Sequence, residues 1–294
     1  MVIKKRTKAD VELAAQQRAI KKGRGLGQGK NYQPFIQITR SDFSSHGRSQ
    51  VVNDSIIGRA HHFLSRLEYF TWLVLIHLGA VQIREQFPLG VQDDDADFPD
   101  RNWEGLGTVS AAAILDIKHP IIAGEQPRVQ STDLLVGDTW VDRAVFIRYE
   151  KDVPTHGRQL GLLRLHTRYW HERGIKHYVM TEKMIDYSLV DLLIWAYASR
   201  NTLNGASQEF LEFAANCSDH SPLRVQLEQW RGPEHYHDAV NQFKAGVFCG
   251  QIDVKPGFGG LQPLTRQWNF RVTNHPQPDT RMKRFFDQME AQHV

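Results

Sequence analysis

Ser131-Thr132-Asp133-Leu134-Leu135-Val136 and, beyond the turn at Gly137-Asp138, Ala144-Val145-Phe146-Ile147-Arg148-Tyr149-Glu150-Lys151 are the stretches whose reading decides the fold. The first is a short apolar strand, Thr132 to Val136, with an acid set into its apolar side. The second is a strand over Asp142 to Tyr149 that ends in charge. Working outward, Gln159 to Arg173 has the spacing of an amphipathic helix closed by Gly174, and His177 to Thr181 reads as a further strand. On the N-terminal side, Val81 to Phe87 alternates as a half-buried strand before Pro88 breaks it. With a helix in front, the order helix, strand, strand, strand, helix, strand predicts an α/β core built on a mixed central sheet.

The leading helix is read over Arg59 to Leu78, where Phe63, Leu67, Phe70 and Val74 repeat at helical spacing. Glu68 interrupts that pattern, with Leu64 and Trp72 one turn away on either side. A carboxylate there is costly unless it is paired or holds a metal ion. Glu68 and Asp133 are therefore candidate oxygen ligands for Mg²⁺, with Mn²⁺ as a substitute, since Mg²⁺ takes one or two carboxylates plus water and substrate phosphate. Two acids with a cation nearby predict a restriction-endonuclease-like nuclease core.

Composition bounds the alternatives. The 294 residues, 41% hydrophobic and 10% aromatic, suffice for one large domain or two. The longest apolar run, Tyr69 to Leu78, is too short to span a bilayer. The basic N-terminus has no apolar stretch behind it, unlike a secretory signal. Cys217 and Cys249 read as reduced thiols in a cytoplasmic protein rather than as a disulfide framework or zinc site. The net charge of +3 says little, but residues 1–30 carry nine Lys/Arg against Asp10 and Glu12, a basic arm suited to phosphate. Within it, Gly23 to Gly29 lacks the preceding strand of a dinucleotide fingerprint and is read as a flexible loop against phosphate. The acidic run from Asp93 to Asp100 is read as a surface loop, in an insertion over 90–112.

After Thr181 the texture becomes helical. Ser188 with Asp191 reads as a capping box ahead of Leu189 to Tyr197, and Ser221-Pro222 as the start of a helix over Leu223 to Trp230. Asp238 to Ala245 reads as a helix stopped by Gly246. A strand at Val247 to Val254, the turn Gly257 to Gly260 and a strand at Trp268 to Val272 would complete a wing. The expectation is a nuclease domain over 1–185 and a mainly helical, winged-helix-like domain over 186–294.

An ordered string of motifs carries a family resemblance. It comprises Gly23-Arg24-Gly25-Leu26-Gly27-Gln28-Gly29-Lys30-Asn31-Tyr32-Gln33-Pro34-Phe35, Gly47-Arg48-Ser49, Ala60 to Glu68, Ile83 to Leu89, Ile117 to Pro120, Ser131 to Val136 and Arg168-Tyr169-Trp170. In these the chain resembles TnsA, the endonuclease subunit of heteromeric cut-and-paste transposases. The resemblance implies a metal-dependent cut of the 5′ strand at transposon ends, with Glu68 and Asp133 holding Mg²⁺. It also implies a TnsB-type DDE transposase and a TnsC-type AAA+ ATPase as partners, the latter docking on the C-terminal domain, in a bacterial, nucleoid-associated setting.

The family's Gln-x-Lys pair is not kept. Aligned on Ala144-Val145, Phe146 and Arg148 stand in its place; aligned on Ile147, Arg148 and Glu150 do. Either way Arg148 is at the site, Glu150 is a catalytic candidate sharing its strand face, and Lys151 reaches the site only through a bulge. Arginine stays charged and cannot deprotonate water as lysine can. A catalytically impaired adaptor bridging DNA, transposase and ATPase is therefore the alternative reading. His61-His62 read as packing or phosphate contacts; His166, His171 and His235-Tyr236-His237 read as surface.

Overall fold

The computed structural model describes residues 7–39, 48–98, 101, 103–122, 124, 126–137, 141–200, 205–217, 221–254, 270–273 and 278–292. The chain divides into two compact units, residues 1–68 with 81–182, and residues 69–80 with 183–294.

The first unit is built on a four-stranded sheet of β3 (Gln82–Pro88), β4 (Ser131–Gly137), β5 (Val141–Ile147) and β6 (Lys176–Met180), in that spatial order. The first three strands are antiparallel neighbours, and β5 pairs parallel with β6. The parallel pair needs a crossover, supplied by α4 (Gly157–Glu172). Leu165, Tyr169 and Trp170 on one face of α4 are buried, and Tyr169 and Trp170 join Phe87, Leu135 and Ala144 of the sheet in a common core. Trp170 Nε1 donates to Thr132 Oγ1 at 2.8 Å, tying the helix to the residue beside Asp133. The mixed sheet expected from the element order is present.

The helix read from Arg59 begins later. Arg59–Phe63 is β2, paired antiparallel with β1 (Gln50–Asp54), and only Arg66–His77 is helical, as α2. Ser65 Oγ accepts from Glu68 N at 3.1 Å, so Ser65-Arg66-Leu67-Glu68 is a helix start that periodicity hid.

The glycine run is not a flexible loop. After α1 (Lys8–Lys21) the chain folds back through Gly25 N to Gln33 O at 2.6 Å and Gln33 N to Leu26 O at 3.3 Å. Gly25 has φ +87°, and a Cβ there would lie 2.2 Å from the Pro88 ring, so close backbone approach requires glycine. The acidic run is likewise structural. Asp93 and Asp94 accept the backbone N–H groups of Gly107 and Gly105. Asp95 is fully buried, taking Arg101 at 2.9 Å, Arg173 at 2.5 Å and the Tyr169 hydroxyl at 2.7 Å. Helix α3 (Thr108–Ile114) follows within the supposed insertion.

The second unit contains α5 (Tyr187–Arg200), α6 (Gln208–Ala215), α7 (Leu223–Glu228), α8 (Tyr236–Phe248), the short hairpin β7 (Ile252–Val254) and β8 (Phe270–Val272), and α9 (Pro278–Gln292). Residues 69–80, which include most of α2, are counted with it: Phe70 meets Tyr187 edge-on at 5.9 Å and Trp72 meets Tyr197 at 5.7 Å. Caps and ends differ from the sequence reading. Asp186 Oδ1, not Ser188, accepts the first free N–H groups of α5, and Pro222 rather than Ser221 caps α7. Helix α8 runs past Gly246 to Phe248, because Gly246 lies against Ile252 and Ala206 in a tight helix–strand contact; the strand begins only at Ile252. Helix α6, capped by Ser207, was not legible as a separate element. Gly257 to Gly260 fall outside the described residues. Neither Cys217 nor Cys249 is in a disulfide, and no described helix is long and apolar enough to cross a membrane.

Candidate active site

Asp133 enters from β4 and Glu68 from the first turn of α2, and both are buried, at 6% and 4% exposure. Three contacts hold the Glu68 carboxylate: Leu64 N at 2.9 Å and Gln86 Nε2 at 3.1 Å on Oε2, and Ser65 Oγ at 3.0 Å on Oε1. Asp133 Oδ2 accepts Ile147 N at 2.7 Å and Arg148 Nη1 at 2.9 Å. Burial, then the neighbouring Asp133 charge, push the Glu68 carboxyl up to about 8. Burial also raises Asp133, opposed by Arg148 and the Ile147 N–H. The Asp133 charge is thus close enough to make Glu68 harder to ionise.

Arg148 supplies a cation in this structure. Its Nη1 also donates to the Ile147 carbonyl at 2.5 Å, and its guanidinium lies 4.0 Å over the Phe146 ring. A single positive nitrogen thus sits on one carboxylate oxygen and one backbone carbonyl. Gln86, Asp133, Phe146, Arg148, Lys151 and His166 line a cleft of about 610 Å³ beside this pair.

The sequence-read candidates part company here. Glu68, Asp133 and Arg148 come together. Glu150 does not join them: β5 ends at Ile147 and residues 150–152 form a 3₁₀ turn, so the strand alternation that would align Glu150 with Arg148 has already stopped. Its N–H donates to Glu182 Oε2 at 2.7 Å, outside the cleft. That same turn, not a bulge, brings Lys151 to the cleft. His61 is fully buried, 3.1 Å from Glu85, and His62 accepts the Ile38 N–H. His166 is not a surface residue. It lies on the packed face of α4, meets Phe146 edge-on at 6.2 Å, and is held neutral, its pKa lowered to about 3 by burial and then by His177 and Arg148. Gln86 was missed altogether. Its neighbours Arg84 and Glu85 are polar and buried as well, so no local signal singled it out.

Two buried acids and an arginine therefore come together on the mixed sheet of the first unit. The chain belongs to the TnsA family: it is 33% identical over 250 residues to the transposon Tn7 transposition protein TnsA of Escherichia coli, covering 84% of this chain and 77% of that protein. No family model matches the chain.

Proposed function

We propose that the protein is a divalent-metal-dependent endonuclease subunit of a transposase, cutting the 5′ strand at transposon ends. The observation that carries this reading is that Asp133, Arg148 and Gln86 line one cleft, with Gln86 bonded to the buried Glu68 and Arg148 held between the Asp133 carboxylate and a backbone carbonyl. The donor set fits Mg²⁺ or Mn²⁺: Glu68 and Asp133 would hold it, with water and phosphate completing its shell. Such an ion, when bound, lowers the pKa of an attacking water and neutralises charge growing on the phosphate. Arg148 exchanges its contact with Asp133 for the scissile phosphate; always charged, it stabilises and does not take a proton. Lys151 adds a second cation along the strand's path.

Residues 1–185 form the nuclease part in this reading. Residues 186–294, helical with a short hairpin, act as a winged-helix-like module that docks partners, a DDE transposase and an AAA+ regulator. A second reading, an adaptor without its own cut, is favoured by Phe146 packing under Arg148 where the family carries an amide-x-lysine pair. Cleavage of transposon ends in Mg²⁺ and in Mn²⁺, with the partner proteins present, separates the two. Cleavage lost in Asp133→Ala supports the nuclease; wild type and Asp133→Ala behaving alike overturns it.

The basic arm gives salt-dependent, sequence-independent DNA affinity. Deleting residues 1–30 is expected to flatten the slope of log affinity against log salt by up to about 0.9 per lost phosphate contact. An unchanged slope removes the arm from the interface.

A further inference from the structure

Gln86 is 1% exposed and sits on β3 between Glu85, paired with Leu134, and Phe87, paired with Thr132, so it stands opposite Asp133. Its Oε1 accepts from Ser131 Oγ at 3.2 Å, which leaves the amide N–H groups facing the acids. One N–H donates to Glu68 Oε2 at 3.1 Å. The backbone at Gln86 is left-handed, φ +49°, inside a strand, a conformation a non-glycine residue keeps only where its surroundings over-determine it. The Phe35 N–H donates to the Gln86 carbonyl at 3.2 Å and holds the kink from the other side.

We propose that Gln86 is a positioning residue of the metal site, its amide held on Glu68 opposite Asp133 and setting the orientation in which the two carboxylates share a divalent cation. The inference rests on the nuclease reading above and names a residue that reading does not need. The chemistry suits the task. An amide gives N–H donors without charge, so it orients Glu68 while neither neutralising the acids, as Lys or Arg would, nor adding a third negative group. Outer partners of metal ligands typically contribute 10–100-fold to metal affinity.

The test is Mn²⁺ binding to the full-length protein, followed by calorimetry and by the loss of the free-ion paramagnetic resonance signal, with no cleavage needed. Gln86→Gly removes the amide while relieving the left-handed backbone. It is expected to raise the Mn²⁺ dissociation constant about 10–100-fold. Ser131→Ala, which frees the amide to turn over, is expected to shift affinity the same way by a smaller factor. Gln86→Gly binding Mn²⁺ as tightly as wild type overturns this inference and leaves the nuclease reading standing. A wild type that binds no Mn²⁺ overturns the metal site and the inference with it. Should Gln86→Gly not fold, unchanged Mn²⁺ affinity in Ser131→Ala is the overturning result.

Discussion

Glu68→Gln is expected to abolish transposon-end cleavage, by at least about 10²-fold, and at the same time to make the protein more stable at alkaline pH. Glutamine keeps one oxygen to accept from Leu64 N, and its NH₂ can donate to the Ser65 hydroxyl, so the start of α2 survives the change. The charge that would hold the ion is what disappears. The stability effect follows from linkage. Burial and the Asp133 charge raise the Glu68 carboxyl from 4.5 to about 8, so between those values the folded protein holds a proton that the unfolded chain has released. Stability therefore falls as pH rises through that window, and the penalty is complete above about pH 8. Glu68→Gln removes it, a gain on the order of a few kcal/mol at pH 8 and close to none at pH 4. Urea unfolding in chelator, across pH 4 to 9, reads the difference directly. Parallel curves for the two proteins would show that Glu68 is not a buried acid, and retained cleavage would remove it from the site.

Arg59→Met is expected to destabilise the protein by about 3–5 kcal/mol, the cost of leaving a buried carboxylate without its cation. Glu85 is fully buried on β3, and both its oxygens are forked by Arg59 at 2.6 and 2.7 Å. His61 Nδ1 stands 3.1 Å away and His62 N donates at 3.2 Å. Burial alone would raise this carboxyl; the hydrogen bonds from His61 and Arg59 outweigh it and hold it at about 2. Its contribution is thus present above about pH 4.5 and is lost as pH falls toward 2. The double variant Arg59→Met, Glu85→Leu should recover much of the single variant's loss, since no unpaired charge remains. Denaturant unfolding of the four proteins of the cycle measures this. A loss below about 1 kcal/mol for Arg59→Met would mean that water reaches the pair.

Much of the core was legible because its signals are local. Thr132–Val136 and Val81–Phe87 alternate or run apolar between turn residues, and the structure places β4 and β3 within a residue of those bounds. The periodicity of Gln159–Arg173 gave α4 in the same way. Local signals also misled. Arg59–Phe63 has helical spacing yet forms a strand, because β1 is there to pair with it and Glu85 to bind Arg59 and His61. Tertiary partners override propensity where they are strong. Asp93 and Asp94 are exposed as read, but Asp95 is buried, and its partners Arg101, Arg173 and Tyr169 lie elsewhere in the chain.

The sequence by itself determined the mixed α/β core, the two acids worth testing and the family to which the chain belongs, since periodicity, caps and ordered motifs are written along the chain. Only the tertiary structure decided which side chains share the cleft. It removed Glu150, brought in Lys151, buried His166 and set Gln86 on Glu68. Those choices depend on strand register, on where a strand stops and on one left-handed residue. Such facts arise from contacts between distant segments, and no local pattern of residues encodes them.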